Sequence, residues 1–228
     1  MKLAALIPVK GFQNAKQRLA PLLTGAAREL LAESMFRDVL REVQRARGIS
    51  ELFVVTANDR VAEIAAGAGV GVIREPAESG ETAAVNLART QLKNAGWEAV
   101  LIVPGDVPLV RASDIEELCT QMAAAHGSPF ALLAPSHDRK GTNALLLAPP
   151  DIIELRFGYD SFTFHVEQVA GRGLPVRFIE NERIALDIDE PQDLERFLSY
   201  SEIDCASMRV ARSLLADPQS HGRGVQTV

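Results

Sequence analysis

The sequence reads Ala99-Val-Leu-Ile-Val-Pro-Gly-Asp-Val-Pro-Leu109 near its middle, an apolar run that stops at a proline-glycine pair followed by an aspartate. A run without alternating polar positions is typical of a strand that is buried on both faces of a sheet. Comparable apolar runs lie on either side of it along the chain, and segments with helical periodicity separate them. Because strands that alternate with helices form parallel sheets covered on both faces, we predict an α/β fold with a mostly parallel sheet.

The other elements follow from the same comparison of periodicities. From Leu31 to Val43 an apolar residue recurs at every fourth position, which places one apolar stripe along a long helix. All elements before residue 203 fit a single domain over residues 1–203. Besides 99–103, the predicted extended segments are 3–9, 51–56, 70–73, 130–134, 143–147 and 176–179, and the further predicted helices are 58–67, 80–94, 113–125, 161–170 and 191–200.

The C-terminal tail, residues 204–228, differs in composition from the rest of the chain. Its first half predicts a short helix from Met208 to Leu215, and its second half is rich in turn-forming residues. We therefore predict a mobile tail outside the domain.

Composition excludes several classes of protein. The 228 residues include 24 lysines and arginines against 30 aspartates and glutamates, a net charge of -6. A nucleic-acid binder needs a basic face, so no nucleic-acid partner is expected, whereas a small anionic substrate needs only a local basic pocket. No apolar run approaches the ~20 residues that cross a bilayer, and Cys119 and Cys205 give neither a disulfide framework nor a metal-ligand spacing. We expect a cytoplasmic protein without a membrane partner.

Three aspartates are candidate catalytic and metal-binding residues. Ligands of parallel α/β sheets bind beyond the carboxyl ends of the strands, where Asp106 lies in a turn stiffened by prolines. Asp187 and Asp189 share one face of an extended segment and repel each other unless a cation separates them. Magnesium takes carboxylate oxygens as ligands. The alternative is that Asp189 caps the helix that starts near Pro191 and Asp106 completes a turn.

A basic loop, Lys10-Gly-Phe-Gln-Asn-Ala-Lys-Gln-Arg18, directly follows the first strand. Lys10, Lys16 and Arg18 offer point charges and a bidentate fork to phosphate oxygens, and Gly11 lets the backbone approach a ligand closely. Lys10 is also a candidate catalytic residue. The loop lacks the Gly-Lys-Ser/Thr ending of a Walker A motif. The alternative is a solvated loop that binds nothing.

Hydroxyl groups and glycines in the second half of the chain are candidate anion-binding groups. Thr142 precedes a strand, and Gly158 opens a turn before Ser161, where a helix N-terminus favours anions. His165 falls one turn into that helix and is a candidate substrate contact. Alternatively Ser161 is only a helix cap and His165 only a packed or surface residue.

The junction at residues 74–86 passes from a strand into a helix. Small side chains and backbone groups near Gly80 and Thr82 are suited to contact a nucleobase. The alternative is an ordinary serine-glycine loop with Thr82 near the helix start.

Taken in order, these segments resemble the 2-phospho-L-lactate guanylyltransferase family of deazaflavin coenzyme F-420 biosynthesis, whose related enzymes use phosphoenolpyruvate or 3-phospho-D-glycerate. The resemblance runs from about residue 3 to residue 200 and departs at Gly80-Glu-Thr-Ala-Ala84, where the family reads Gly-Leu-Asn-Ala-Ala. The motifs that carry it are Ile7-Pro-Val-Lys10, Ala15-Lys-Gln-Arg-Leu19, Pro104-Gly-Asp-Val-Pro-Leu109, Gly141-Thr-Asn-Ala-Leu145, Phe157-Gly-Tyr-Asp-Ser-Phe-Thr-Phe-His165 and Leu186-Asp-Ile-Asp-Glu-Pro191.

This resemblance implies a fold, a reaction and a set of roles. The fold is the glycosyltransferase-A-like nucleotidyltransferase fold, and the reaction moves GMP from GTP to the phosphate of a small phosphorylated acid with release of pyrophosphate. A homodimer is compatible with this assignment. The implied roles are two magnesium ions at Asp106, Asp187 and Asp189, GTP phosphates at Lys10, Lys16 and Arg18, the nucleotide near Gly80, and the acceptor acid at Thr142, Gly158 and Ser161.

Other functions remain open to test at this point. A cytidylyltransferase or a sugar-nucleotide-forming enzyme would share the fold but use another nucleotide, and a glycosyltransferase of similar fold would release no pyrophosphate. A regulatory protein would bind the nucleotide without any turnover.

Overall fold

The computed structural model describes residues 1–125 and 129–221. No helix in this part of the chain is both long and apolar enough to cross a membrane. Its strands are β1 (Leu3–Pro8), β2 (Glu51–Thr56), β3 (Gly71–Arg74), β4 (Ala99–Ile102), β5 (Phe130–Pro135) and β6 (Thr142–Ala148), and its α-helices are α1 (Gly25–Arg45), α2 (Asp59–Gly67), α3 (Glu81–Asn94), α4 (Ala112–Ala123), α5 (Ser161–Gly171), α6 (Pro191–Ser199) and α7 (Ala206–Ala216).

The strands form one sheet in the order β3-β2-β1-β4-β6-β5. The first four strands are parallel, and β6 runs antiparallel to both β4 and β5, so the predicted mostly parallel sheet is confirmed. The extended segment predicted at 176–179 forms a single parallel bridge from Phe178 to Leu133 beside β5. Because β6 runs against β4, its first residue, Thr142, lies at the same edge as the carboxyl ends of β1 and β4.

Both faces of the sheet are buried, which explains the uninterrupted apolar runs. Successive residues of a strand point to opposite faces, and in β1 Ala5 and Ile7 pack on the side of α1, α2 and α4. Ala4 and Leu6 pack on the other side with α3 and part of α5. Because helices cover both faces, a ligand can reach the sheet only at the edge where the strands end, between the loops that follow them.

A third apolar cluster joins α1, α6 and α7, and it corrects the predicted tail. Met208 and Ala211 of α7 are fully buried in this cluster. The buried Asp38 of α1 accepts a hydrogen bond of 2.7 Å from the backbone N–H of Ser207, which caps the start of α7. The helix thus packs on the domain instead of moving freely beyond residue 203, because its apolar face needs a partner. Residues 222–228, the end of the predicted mobile tail, lie outside the described residues.

Candidate active site

A cleft of about 960 Å³ opens at the carboxyl edge of the parallel strands. Its walls come from the loop after β1, the start of α3, the turn after β4, the start of β6, the loop before α5 and the segment before α6. The structure therefore brings together most residues that the sequence singles out, although they lie up to 179 positions apart: Lys10, Lys16, Arg18, Gly80, Asp106, Thr142, Gly158, Ser161, Asp187 and Asp189 all line this cleft.

Lys16 holds two of the three aspartates together. Its Nζ lies 2.6 Å from Asp106 Oδ2 and 2.8 Å from Asp189 Oδ1, and its side chain is only 9 % exposed. The backbone of Lys16 adopts a left-handed conformation with φ of 51°, and the residue lines the cleft. Burial alone would lower the pKa of Lys16, but Asp106 and Asp189 outweigh burial and raise that pKa well above its usual range.

Asp189 is not the cap of the following helix. The backbone N–H groups of Asp189 and Glu190 both donate to Asp193 Oδ2, at 3.1 and 2.8 Å, so the helix cap comes from inside α6. The carboxylate of Asp189 is left to face Lys16, whose charge is the main reason that the pKa of Asp189 lies below its usual range.

Asp187 is the third carboxylate, and Asn143 orients it. The Asn143 Nδ2 donates to Asp187 Oδ1 at 2.9 Å and to the carbonyl oxygen of Ile184 at 3.0 Å. Burial, followed by the negative charge of Asp106, raises the pKa of Asp187 to about 6. Asn143 is not among the predicted site residues, because in the sequence the hydroxyl of its neighbour Thr142 is the more obvious candidate.

These three carboxylates have the chemistry of a magnesium site, but Lys16 sits between two of them. Hard carboxylate oxygens suit magnesium. Among the described residues, no group of three or more acidic, histidine or cysteine side chains is gathered closely enough to hold a metal ion. In this structure the Lys16 ammonium occupies the position between Asp106 and Asp189 that a cation would take.

Glu81 is an acidic residue of the cleft that is not among the predicted site residues. It begins α3 directly after Gly80, whose φ of 92° aims the chain into the cleft. Burial, followed by the charge of Asp106, raises the pKa of Glu81 to about 7. A glutamate in the first turn of a helix is common for reasons of helix polarity, so the sequence alone gives it no functional signal.

Two predicted contacts need correction. Thr82 does not line the cleft; its Oγ1 accepts a hydrogen bond of 2.9 Å from the backbone N–H of Phe157 and so ties α3 to the loop before α5. His165 is completely buried and lies behind Thr142, with Nδ1 2.9 Å from Thr142 Oγ1. Both side chains contact the wall of the cleft from behind, Thr82 through the backbone N–H of Phe157 and His165 through Thr142.

The basic residues occupy different depths. Arg18 lies at the rim, where its guanidinium and the carboxylate of Glu190 approach to 3.3 Å and both side chains are more than half exposed. Lys10 is exposed at the mouth of the cleft. Lys16 alone of the three reaches the aspartates, so the charge of the basic loop extends from the rim to the floor.

Comparison with known proteins gives close agreement over nearly the whole chain. The family profile described as guanylyl transferase CofC like matches residues 3–214. The phosphoenolpyruvate guanylyltransferase of Conexibacter woesei is 34 % identical over 195 residues, 86 % of each chain. The 2-phospho-L-lactate guanylyltransferase of Methanothermobacter thermautotrophicus is 32 % identical over 89 % of this chain and 86 % of its own. The 3-phospho-D-glycerate guanylyltransferase of Colwellia psychrerythraea is 34 % identical over 86 % of this chain and 90 % of its own.

Solved structures share the fold at low sequence identity. A protein described as a nucleotide-diphospho-sugar transferase from Desulfovibrio desulfuricans G20 superposes with a TM-score of 0.77 at 17 % identity, over 95 % of this chain and 96 % of its own. A cytidylyltransferase from Leptospira borgpetersenii gives 0.61 at 17 % identity, over 100 % and 99 %. These likenesses confirm the predicted nucleotidyltransferase type of fold.

Proposed function

Because the chain belongs to the guanylyl transferase CofC-like family, we propose that it transfers the GMP unit of GTP to the phosphate of a small phosphorylated carboxylic acid. Relatives that are 32–34 % identical are named for phosphoenolpyruvate, 2-phospho-L-lactate and 3-phospho-D-glycerate, and the family acts in coenzyme F-420 biosynthesis. The observation that carries the proposal is the single cleft in which Lys16 and three aspartates face Thr142.

The reaction needs positioning more than it needs a nucleophile from the protein. A phosphate oxygen of the acceptor forms a bond to the α-phosphorus of GTP, the bond from that phosphorus to the bridging oxygen breaks, and pyrophosphate leaves with the electron pair. No covalent intermediate with the chain is required, because the attacking oxygen is already an anion. The cleft must therefore bring two polyanions together and offset their repulsion.

The chain supplies that offset along its basic loop. Lys10 at the mouth and Arg18 at the rim can meet the β- and γ-phosphates, and Lys16 lies deep enough to reach the phosphate that reacts. Asp106, Asp187 and Asp189 would hold the magnesium ions, two in number, whose charge would neutralise phosphate oxygens when they are bound. Lys16 would then turn from the carboxylates to the phosphates, since its ammonium and the cation compete for the same oxygens.

The acceptor binds at the opposite wall. Thr142 and Ser161 present hydroxyl groups at the start of β6 and of α5, and Gly158 shapes the loop between them. Hydroxyl donors and a helix N-terminus suit an acid that carries both a phosphate and a carboxylate.

The test is pyrophosphate release with magnesium. GTP, ATP, CTP and UTP are each offered with phosphoenolpyruvate, 2-phospho-L-lactate and 3-phospho-D-glycerate, and the control contains each nucleotide alone. We expect release with GTP and one of the three acids, and none without acceptor. Release only with CTP or another nucleotide would assign a different nucleotidyltransferase, and binding of GTP without release under any condition would favour a regulatory role.

A further inference from the structure

His165 has both ring nitrogens engaged although it does not line the cleft. Nδ1 lies 2.9 Å from Thr142 Oγ1, and Nε2 lies 3.2 Å from the backbone nitrogen of Arg156. The side chain is completely buried, whereas Thr142 lies in the cleft wall. Among the residues of the cleft wall, the histidine therefore contacts Thr142 by a side-chain hydrogen bond and Phe157 by ring packing.

The backbone contact fixes which nitrogen carries the proton. A backbone N–H can only donate, so Nε2 must accept the hydrogen bond from Arg156 and cannot itself be protonated. In a neutral imidazole the other nitrogen then carries the proton, so Nδ1–H is the donor to Thr142 Oγ1. Burial, assisted by the positive charge of Arg156, lowers the pKa of His165 to about 4, and the ring is neutral at physiological pH.

The ring cannot turn without losing both bonds. Phe157 and Phe164 pack edge-on against it, with ring centroids 5.3 and 5.8 Å away. A half-turn about the Cβ–Cγ bond would place ring carbons against Thr142 and the Arg156 N–H, and a buried backbone N–H without a partner is costly. The surrounding aromatic rings and the backbone thus hold one orientation and one tautomer.

The consequence falls on the hydroxyl of Thr142. A hydroxyl that accepts from Nδ1–H keeps its own proton for another acceptor. In residues 1–125 and 129–221, Thr142 Oγ1 makes no further side-chain hydrogen bond, and Thr142 is one of the residues that line the cleft. We propose that His165 is a positioning residue that fixes the Thr142 hydroxyl as a donor to an anionic oxygen of the acceptor acid. This inference rests on the proposed function, since the acceptor supplies that oxygen.

The fixed Thr142 hydroxyl also makes the acceptor site selective for ligand groups that accept hydrogen bonds over groups that donate them. A hydroxyl held as a donor stabilises a carboxylate or phosphate oxygen, which can only accept, and it opposes a ligand group that can only donate. A threonine without His165 could donate or accept and would discriminate less. Fixing the role of the hydroxyl before binding also reduces the ordering cost at the moment of binding.

The first test reads the tautomer directly in the complete protein without substrate. Nitrogen-15 NMR of histidine-labelled protein is recorded from pH 5 to 8, and the His165→Asn variant assigns the signal of His165 by its loss among the four histidines. We expect a neutral ring with the proton on Nδ1 throughout this range. A proton on Nε2, or a doubly protonated ring at pH 7, would overturn the inference whether or not the enzyme turns over.

The second test separates a positioning role from a merely structural one. His165→Leu removes the donor, whereas His165→Asn can place an amide N–H where Nδ1 stood, because both atoms lie two bonds beyond Cβ. We expect the leucine variant to raise the KM of the acceptor about tenfold or more with the KM of GTP unchanged, and the asparagine variant to recover part of that loss. An equal rise in both KM values, or no recovery, would indicate general disturbance and contradict the proposal.

A double variant checks that the effect passes through Thr142. Thr142→Val removes the hydroxyl and keeps the shape, so His165→Leu should add little to the acceptor KM in that background. Additive effects would overturn the proposal.

Should His165→Leu fail to fold, a comparison of Thr142→Ser with Thr142→Val still tests whether the hydroxyl sets the acceptor KM, and the tautomer measurement does not depend on that variant. Absence of pyrophosphate release with every nucleotide and acid would contradict the proposed function and, with it, the role of Thr142. A proton on Nε2 of His165 in an enzyme that does release pyrophosphate would contradict only this inference.

Discussion

Lys16 is the residue on which the charge balance of the cleft depends. Its ammonium offsets Asp106 and Asp189, and Asp187 is left with a pKa raised to about 6 by burial and by Asp106. Glu81, with a pKa raised to about 7, adds a second carboxyl group that holds its proton unusually well. A cation that enters between these groups would release Lys16 and protons together, because metal ligands must be deprotonated.

Asp106→Asn tests the central carboxylate. We expect turnover to fall by about two orders of magnitude or more, because the variant loses a negative oxygen at the site where the charge of the phosphates is balanced. The protein should still fold, because Lys16 keeps its contact with Asp189 and the repulsion between Asp106 and Asp187 disappears, although the ion pair between Lys16 and Asp106 is lost. Asp151→Asn, which only breaks a surface pair with Lys93, is the control and should keep full turnover. Full turnover in Asp106→Asn would exclude any role for this carboxylate.

The lowered pKa of the buried His165 predicts how the free energy of unfolding changes with pH. Its pKa is about 4 in the folded protein and 6.5 ordinarily, so between these values the unfolded chain takes up a proton that the folded one does not. The free energy of unfolding should therefore fall as the pH drops through this window, by about 2–3 kcal/mol between pH 7.5 and pH 4.5. Asp187 and Glu81 have raised pKa values and act in the opposite sense.

The comparison that isolates His165 is wild type against His165→Asn, measured by urea unfolding at both pH values. The opposing carboxyl groups are common to both proteins and cancel in the difference. The stability advantage of the wild type at pH 7.5 should shrink at pH 4.5. An advantage that stays constant across this range would mean that His165 is not kept neutral by the fold.

Among the elements, the segment before α6 is the one whose placement matters most to the cleft, because it carries both Asp187 and Asp189. It is anchored to α4 by the buried Asp114, which accepts from Arg183 Nε at 2.9 Å and from Asn181 Nδ2 at 3.0 Å. The same carboxylate accepts from the backbone N–H of Arg111 at 2.9 Å and so also caps α4. One side chain thus fixes both the start of a helix and the approach to the catalytic segment.

Arg183→Met should loosen this anchor. Removing the guanidinium leaves the carboxylate of Asp114 buried with fewer donors, and we expect a loss of roughly 1–3 kcal/mol in the free energy of unfolding together with lower turnover. Arg47→Met is a matched control, since Arg47, which follows α1, also pairs with a carboxylate of α4, Glu116, but this pair lies largely at the surface and such pairs contribute little. Equal results for the two variants, measured by urea unfolding and pyrophosphate release, would contradict the anchoring role.

At the scale of the whole molecule, α7 completes the core instead of trailing from it. Its buried residues pack with Leu31 and Met35 of α1 and with Phe197 of α6, and Asp38 caps its first turn. Since α6 directly follows Asp189, this cluster also backs the segment that carries the aspartates. The C-terminal helix therefore stabilises the site without touching it.

Truncation measures that contribution. A chain that ends at residue 203 loses the buried face of α7, and we expect a destabilisation of roughly 5 kcal/mol or more, or failure to fold. A chain that ends at residue 221 keeps every contact described above and is the control. Melting temperature and urea midpoint compare the two. Equal stability of both chains would mean that α7 contributes little to the domain, as the sequence boundary at residue 203 predicts.

The sequence by itself determined the class of fold and the inventory of charged groups. An apolar run such as 99–103 indicates a strand covered on both faces, and the prolines and glycines that end such runs are local signals of a turn. The alternation of these strands with helices therefore predicted the mostly parallel sheet that the structure has. Ligands of parallel α/β sheets bind beyond the carboxyl ends of the strands, and this rule needs only the order of the elements. It was therefore enough to select Asp106 and the loop after β1.

Only the tertiary structure decided which of these groups face the cleft and which support it. Thr82 and Phe157 are 75 positions apart, Lys16 and Asp189 are 173 apart, and α7 folds back onto α1. His165 and Thr142 are closer in sequence, but their contact still depends on how α5 packs against the start of β6. The direction of a hydrogen bond is set by partners that the chain brings together over such distances, and local sequence patterns contain no information about them. For that reason the two hydroxyl-bearing residues Thr82 and Thr142 receive different roles that their neighbours in sequence do not reveal: Thr82 fastens a loop, and Thr142 lines the cleft with its hydroxyl held by His165.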